Sequence, residues 1–238
     1  MPNNARDESP RAVIFDMDGV LVDTYRAHYQ SWLEMARPYG LRFTEEQFGA
    51  TFGRTSREII AHFWGEGRLS ESEIAEMDDR KEAAFRRIIA ADFPAMPGTT
   101  DLLERLATAG FRLAVGSSGP PENVEMVLQR LGAGRRFDAV VTGKDVTRGK
   151  PDPQVFLLAA ERLNVAPRRC AVIEDAPAGV AAAKAAGMAS IGLASTGRTP
   201  QCLAAADWVV GRLDEISVER LVALIERHAG RTGEGGES

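Results

Sequence analysis

The chain has 238 residues but only two cysteines, Cys170 and Cys202, and three histidines. No disulfide framework or structural zinc cluster can be built from so few, and a reducing compartment suits the composition. No apolar run reaches the ~18 residues of a membrane span, and residues 1–10 are polar, without the charged and then apolar pattern of a secretion signal. The expected location is the cytoplasm, with no membrane contact. Positive charge is also in deficit: 29 Lys+Arg stand against 34 Asp+Glu, a net charge of −5, and no Lys/Arg block occurs. Nucleic acid is therefore not an expected partner, and an anionic small molecule would need positive charge concentrated locally. A chain this long buries roughly three quarters of its unfolded surface and needs no crosslink to fold.

What is present falls into two patterns. Residues 11–15 are a short apolar run rich in β-branched side chains, residues 25–95 read as helices with polar turns, and strands and helices alternate beyond residue 97. Thr44 with Gln47, Thr55 with Glu58 and Ser70 with Glu73 have the spacing of a capping box, in which each side chain satisfies a free backbone N–H at a helix start. In the last of these helices Ile74, Met77, Lys81, Phe85, Ile88 and Ile89 recur every three or four residues, which predicts one buried face. Tyr29, Trp32, Leu33, Met35 and Ala36 form a second such stripe, closed by Pro38 and Gly40. Apolar runs follow at 111–116, 139–142, 170–173 and 190–193, with a weaker one at 207–210. Helical segments at 100–108, 122–131, 153–163 and 177–186 separate them. Strands separated by helices pair in parallel through right-handed crossovers. The predicted fold is α/β: a Rossmann-like parallel sheet with helices on both faces, formed by 11–24 and 96–228. A four-helix cap is inserted at 25–95, the tails 1–10 and 229–238 are expected to be disordered, and the protein is expected to be a monomer.

In such sheets the ligand lies at the carboxyl ends of the strands, near the point where strand order reverses. Asp16 and Asp18 end the first strand, Ser117 follows the second, Lys150 opens a helix after the third, and Glu174 and Asp175 close another. Singly, these are ordinary turn acids, a loop hydroxyl, a surface lysine and a helix cap. At one sheet edge together, the clustered carboxylates require a cation or raised pKa values. Oxygen donors without His or Cys favour a hard ion, and magnesium fits. Lys150 and Ser117 would then serve the same anion, as phosphoryl transfer requires. Residues 143–150 are not a nucleotide-binding P-loop, because the glycines are one residue too far apart and Pro151 stands where Ser or Thr is needed. Val20 excludes an EF-hand loop, no Gly-x-Ser-x-Gly elbow surrounds Ser117, and Cys170 reads as core.

Four runs in this order, DMDGVLVDT from Asp16, Ser117 after a hydrophobic strand, GKPDP from Gly149 and EDAPAG from Glu174, resemble the haloacid-dehalogenase superfamily of phosphohydrolases over residues 11–228. The resemblance implies that Asp16 attacks phosphorus to form an aspartyl phosphate, and that Asp18 protonates the leaving alkoxide and then activates water. It implies Mg2+ on Asp16, the backbone carbonyl of Asp18 and Asp175, with Glu174 beside or on the metal. Ser117 and Lys150 would hold the phosphoryl group, and an acid at Asp18 points to phosphate monoesters. The helical insert matches the family's cap, a lid over a small phosphorylated metabolite. Thr24 and His28 have the spacing of the β-phosphoglucomutase-like branch, where they lie at the hinge; partial burial of His28 near Trp32 is the other reading. Gly53-Arg54-Thr55-Ser56-Arg57 sets a basic pair, Arg54 and Arg57, at a helix start suited to an anion, though two surface arginines would look the same. The mutase pattern Ser-x-Ser-Lys-Asn is replaced by Ser117-Ser118-Gly119-Pro120-Pro121-Glu122-Asn123, without its lysine. That favours hydrolysis of a sugar phosphate, with Ser118 at the substrate. A phosphosugar mutase and a catalytically silent phosphate-binding protein are the alternatives.

Overall fold

The apolar runs become six strands: β1 (Ala12–Phe15), β2 (Arg112–Gly116), β3 (Ala139–Val141), β4 (Cys170–Glu174), β5 (Ala189–Leu193) and β6 (Trp208–Val210). They form one sheet in the order β3-β2-β1-β4-β5-β6, every pair parallel. This computed structural model describes residues 9–52, 54–195 and 197–231. Gly53 of the basic run, and 1–8 and 232–238 of the expected tails, lie outside the described residues.

Because side chains alternate along a strand, both faces of the sheet must be covered. Val13 and Phe15, with Ala171 and Ile173, face a layer built by α5 (Thr99–Thr108), α6 (Pro121–Arg130) and α9 (Val218–Arg231). Ala12 and Ile14, with Cys170 and Val172, face α7 (Gln154–Leu163) and α8 (Pro177–Ala185). Cys170 is core, as read from the sequence, and burial pushes its thiol up to about 12. At the start of α7, Asp152 accepts a hydrogen bond from Gln154 N at 3.0 Å.

Helix α9 is the element that sequence reading did not anticipate. It carries Leu221, Leu224 and Ile225 into the core and continues through Ala229 and Gly230 to Arg231, so the predicted tail starts too early. At the other end Ser9 and Pro10 are held through their carbonyls by the Arg169 guanidinium, at 2.6 and 3.3 Å. A strand-flanking segment with buried backbone partners is ordered whatever its composition.

The insert forms α1 (Tyr25–Ala36), α2 (Glu45–Gly49), α3 (Ser56–Trp64) and α4 (Glu71–Ala91). All three capping boxes are present with both reciprocal hydrogen bonds. Trp32, Met35, Phe43, Phe48, Ile59, Ile60 and Met77 make its own core, while Phe85 and Ile89 pack with Ala27 and with Met126 of α6. The two chain crossings lie side by side: Asp23 N donates to Pro94 O at 2.9 Å and Met96 N to Leu21 O at 3.0 Å.

Phe156 joins fold to site, since its buried ring lies against Gly116, where an added Cβ would meet it at 3.1 Å, and 4.8 Å from Lys150 Nζ. Phe156→Ala is expected to lower unfolding free energy by about 3–5 kcal/mol, read as a fall in the urea midpoint.

Candidate active site

Strand β1 lies between β2 and β4, and the chain leaves it towards β2 and β3 before returning to β4 on its other side. The crevice at such a reversal opens at the carboxyl ends of β1 and β4. Asp16 N donates to Ile173 O at 3.0 Å, which aligns those two ends. There Lys150 Nζ stands 2.6 Å from Asp16 Oδ1 and 2.6 Å from Glu174 Oε1. The other Glu174 oxygen accepts from Ala176 N at 2.8 Å, and a Cβ on Gly179 would overlap the carboxylate. Glu174 thus requires glycine one turn into α8. Asp175 lies beside them, its Oδ2 3.8 Å from Arg198 Nε, and a Cβ on Gly19, at φ +77°, would overlap it.

Asp16, Glu174 and Asp175 are buried, with carboxylate oxygens within 4.8 Å of one another. Burial pushes Asp16 up to about 7, against the pull of Lys150 and with the push of Glu174 and Asp18. Burial likewise drives Asp175 well above the ordinary range, helped by Glu174 and Asp16. Burial alone would depress Lys150, but Asp16 and Glu174 outweigh it and raise its pKa. Lys150 at 2.6 Å and Arg198 at 3.8 Å offset only part of the charge of three ionised carboxylates in a low-dielectric site. An all-oxygen set with excess negative charge fits a hard divalent cation.

The Asp18 carboxylate belongs to a different environment. Its Oδ1 is 3.3 Å from His28 Nε2 in α1, not within the three-acid cluster. Burial would raise it, but His28 and Lys81 outweigh this and hold it below the usual carboxylate range. The buried Thr24 hydroxyl adds to that effect without being aligned as a hydrogen bond. His28 is stacked on Phe85 with ring centroids 4.1 Å apart, and its Nδ1 is 3.0 Å from Lys81 Nζ.

Core and cap enclose a cavity of about 570 Å³ lined by Asp16, Asp18, Lys150, Glu174, Asp175 and Ser118 from the core and by His28, Arg54 and Arg57 from the cap. Ser117 and Thr24 are fully buried and lie behind this wall; the Ser117 hydroxyl accepts from Gly119 N at 3.0 Å. Arg54 and Arg57 are exposed at the rim, and Arg57 is paired with Glu71. Among the lining residues not anticipated as site residues are Lys81 and Arg198. Lys81 reads in sequence as part of an apolar stripe, and a lysine on a buried stripe was the available signal. Arg198 bridges Asp175 and the Phe52 ring of the cap, 5.6 Å away, and a lone arginine in a loop gives no signal.

The raised carboxyls set a pH dependence. A folded Asp16 near 7 holds a proton that the unfolded chain releases near 4, so stability is lost as pH climbs between these values. In chelator-treated protein, Asp16→Asn is expected to melt above wild type by an amount that grows from pH 5 to pH 8, at about 2–4 °C per kcal/mol in thermal scans.

A family model for haloacid dehalogenase-like hydrolases matches residues 10–187. The chain is 35% identical over 180 residues to a phosphorylated carbohydrates phosphatase of Thermotoga maritima, covering 76% of this chain and 83% of that one. It is 34% identical over 217 residues to the β-phosphoglucomutase of Bacillus subtilis, covering 89% and 93%. The crystal structure of β-phosphoglucomutase from Clostridium difficile superposes with a TM-score of 0.82 at 27% identity, covering 94% of this chain and 98% of that one. Motif order, sheet topology and these likenesses agree, and the chain belongs to the haloacid dehalogenase-like hydrolase family.

Proposed function

We propose that the protein is a magnesium-dependent phosphohydrolase that releases phosphate from small phosphorylated sugars through an aspartyl phosphate on Asp16. The observation that carries this reading is the division of the acids. Asp16 is held by Lys150 among the carboxylates, while Asp18, two residues on, is turned to the cap histidine. In the first half, an Asp16 carboxylate oxygen attacks phosphorus, the ester P–O bond breaks and the Asp18 carboxyl passes its proton to the leaving alkoxide. In the second half, Asp18 takes a proton from the water that attacks the acyl phosphate, which frees Asp16 and inorganic phosphate. The lowered pKa of Asp18 suits its basic role, and a phosphate dianion arriving beside it raises its proton affinity for the acidic one.

Asp16, Glu174 and Asp175 would hold Mg2+, which when bound offsets their charge and that of the phosphoryl group. Lys150 adds positive charge on the same side, and Ser117 fixes the Gly119 backbone of the phosphate loop. The cap excludes water from the transfer. Relatives named as a carbohydrate-phosphate phosphatase and a sugar-phosphate mutase support phosphorylated sugars as the substrate class.

Mutase activity is the second reading. Lys144, on the short turn after β3, lines the same cavity as Ser118 and supplies a cation there, although the mutase-type loop lysine is missing. With hexose 1- and 6-phosphates, free phosphate is the expected product, abolished by chelation and restored by Mg2+. Asp16→Asn is expected to reduce turnover below detection, at least about 10⁴-fold. Interconverted hexose phosphates after priming with a bisphosphate would favour the mutase, and turnover in Asp16→Asn would overturn the mechanism.

A further inference from the structure

We propose that Glu82 and Asn123 are positioning residues that hold Asp18 in register from the boundary between cap and core, which rests on Asp18 as the acid of the proposed reaction. Glu82 of α4 is a buried carboxylate that does not belong to the three-acid cluster. Its Oε1 accepts from Lys81 Nζ at 2.6 Å and its Oε2 from Asn123 Nδ2 at 2.6 Å. Asn123, 1% exposed in the first turn of α6, also accepts at Oδ1 from Arg86 Nη1 at 3.0 Å. Both ends of one core amide are therefore spent on cap helix α4.

The chain of contacts then runs inwards. Lys81 packs over Trp32 and Phe85, 5.6 and 5.5 Å from their ring centroids, where the stripe position of its stem predicts burial. Its ammonium can only donate, so His28 Nδ1 must accept and the imidazole proton resides on Nε2, pointed at Asp18 Oδ1. Asn123 sets Glu82, Glu82 sets Lys81, Lys81 selects the His28 tautomer, and His28 holds the carboxylate. A buried acid and a buried ammonium side by side need such full satisfaction, because loss of one partner leaves the next without its bond. Asn123 follows the Ser117–Gly119 loop by a few residues, so the helix that continues the phosphate loop also carries the contact that orients the acid.

Two variants test this, Asn123→Ala and the isosteric Glu82→Gln, with melting temperatures to establish that each is folded. kcat/KM is measured for an alkyl ester, glucose 6-phosphate, and for p-nitrophenyl phosphate, whose leaving group needs no acid. On the alkyl ester a fall of about 10- to 100-fold is expected in both variants, and on the aryl ester a fall at least about fivefold smaller. Independently of turnover, ¹⁵N spectra of the three imidazoles should show His28 as the Nε2–H tautomer in wild type and as a mixture in the variants. Equal losses on both esters, or an unchanged His28 pattern, would overturn the coupling. Wild type without phosphate release from either ester would instead overturn the functional reading, and the imidazole spectra would still decide the coupling.

Discussion

The arrangement of the core depends on a single ammonium. Lys150 is the close cation of a nest of three buried carboxylates, and it reaches both Asp16 and Glu174 from a loop that follows a different strand. To bring it there, β3 must stand two places from β1 and α7 must return Phe156 beneath the lysine. A parallel sheet does this because every strand ends on the same edge, so loops remote in sequence open side by side. Neutralisation is left incomplete, which fits the proposed hard cation and, through it, an anion. Under the proposed function, the same incompleteness is how a chain with net charge −5 would serve an acidic substrate.

Asp18, the acid of the proposed reaction, is held from the opposite direction. Asp16 is set by the core, whereas Asp18 is set by α1 and α4 of the cap, through an imidazole stacked on Phe85. Two aspartates separated by one residue thereby have pKa values displaced in opposite senses, one up and one down. Divergent environments of this kind suit the nucleophile and the acid–base group of the proposed reaction.

Elements held by local chemistry were legible in the sequence. The capping boxes at Thr44, Thr55 and Ser70 involve residues three apart, and the strands are short runs with turns at both ends. The strand-end acids could be brought together on paper because topology in α/β folds is so restricted. Helix α9 has a local trace in the helical spacing of Leu221, Leu224 and Ile225 and in Ser217, which accepts from Arg220 N at 3.3 Å, but the Gly-rich run that follows it obscures where it ends. Contacts between units left less trace. Lys81 is legible as a member of a buried stripe, but its partners, His28 on α1 and Glu82 next to it in α4, are not. Arg198 meets Asp175 and Phe52 only because a core loop and the cap converge there. Arg54 and Arg57 were visible as a basic pair, but the pairing of Arg57 with Glu71 depends on how two cap helices pack.

The cap leaves and rejoins the core through segments that hydrogen-bond to each other, Asp23 to Pro94 and Leu21 to Met96. To the sheet, some seventy intervening residues therefore count as a short loop whose ends already touch, so the entropy of closing it is small and nearly independent of its content. Such an insertion can be exchanged, lengthened or re-sculpted while the strand register and the acid cluster beneath it keep their geometry. Substrate choice and bond-breaking chemistry are thus free to diverge along separate routes within one polypeptide.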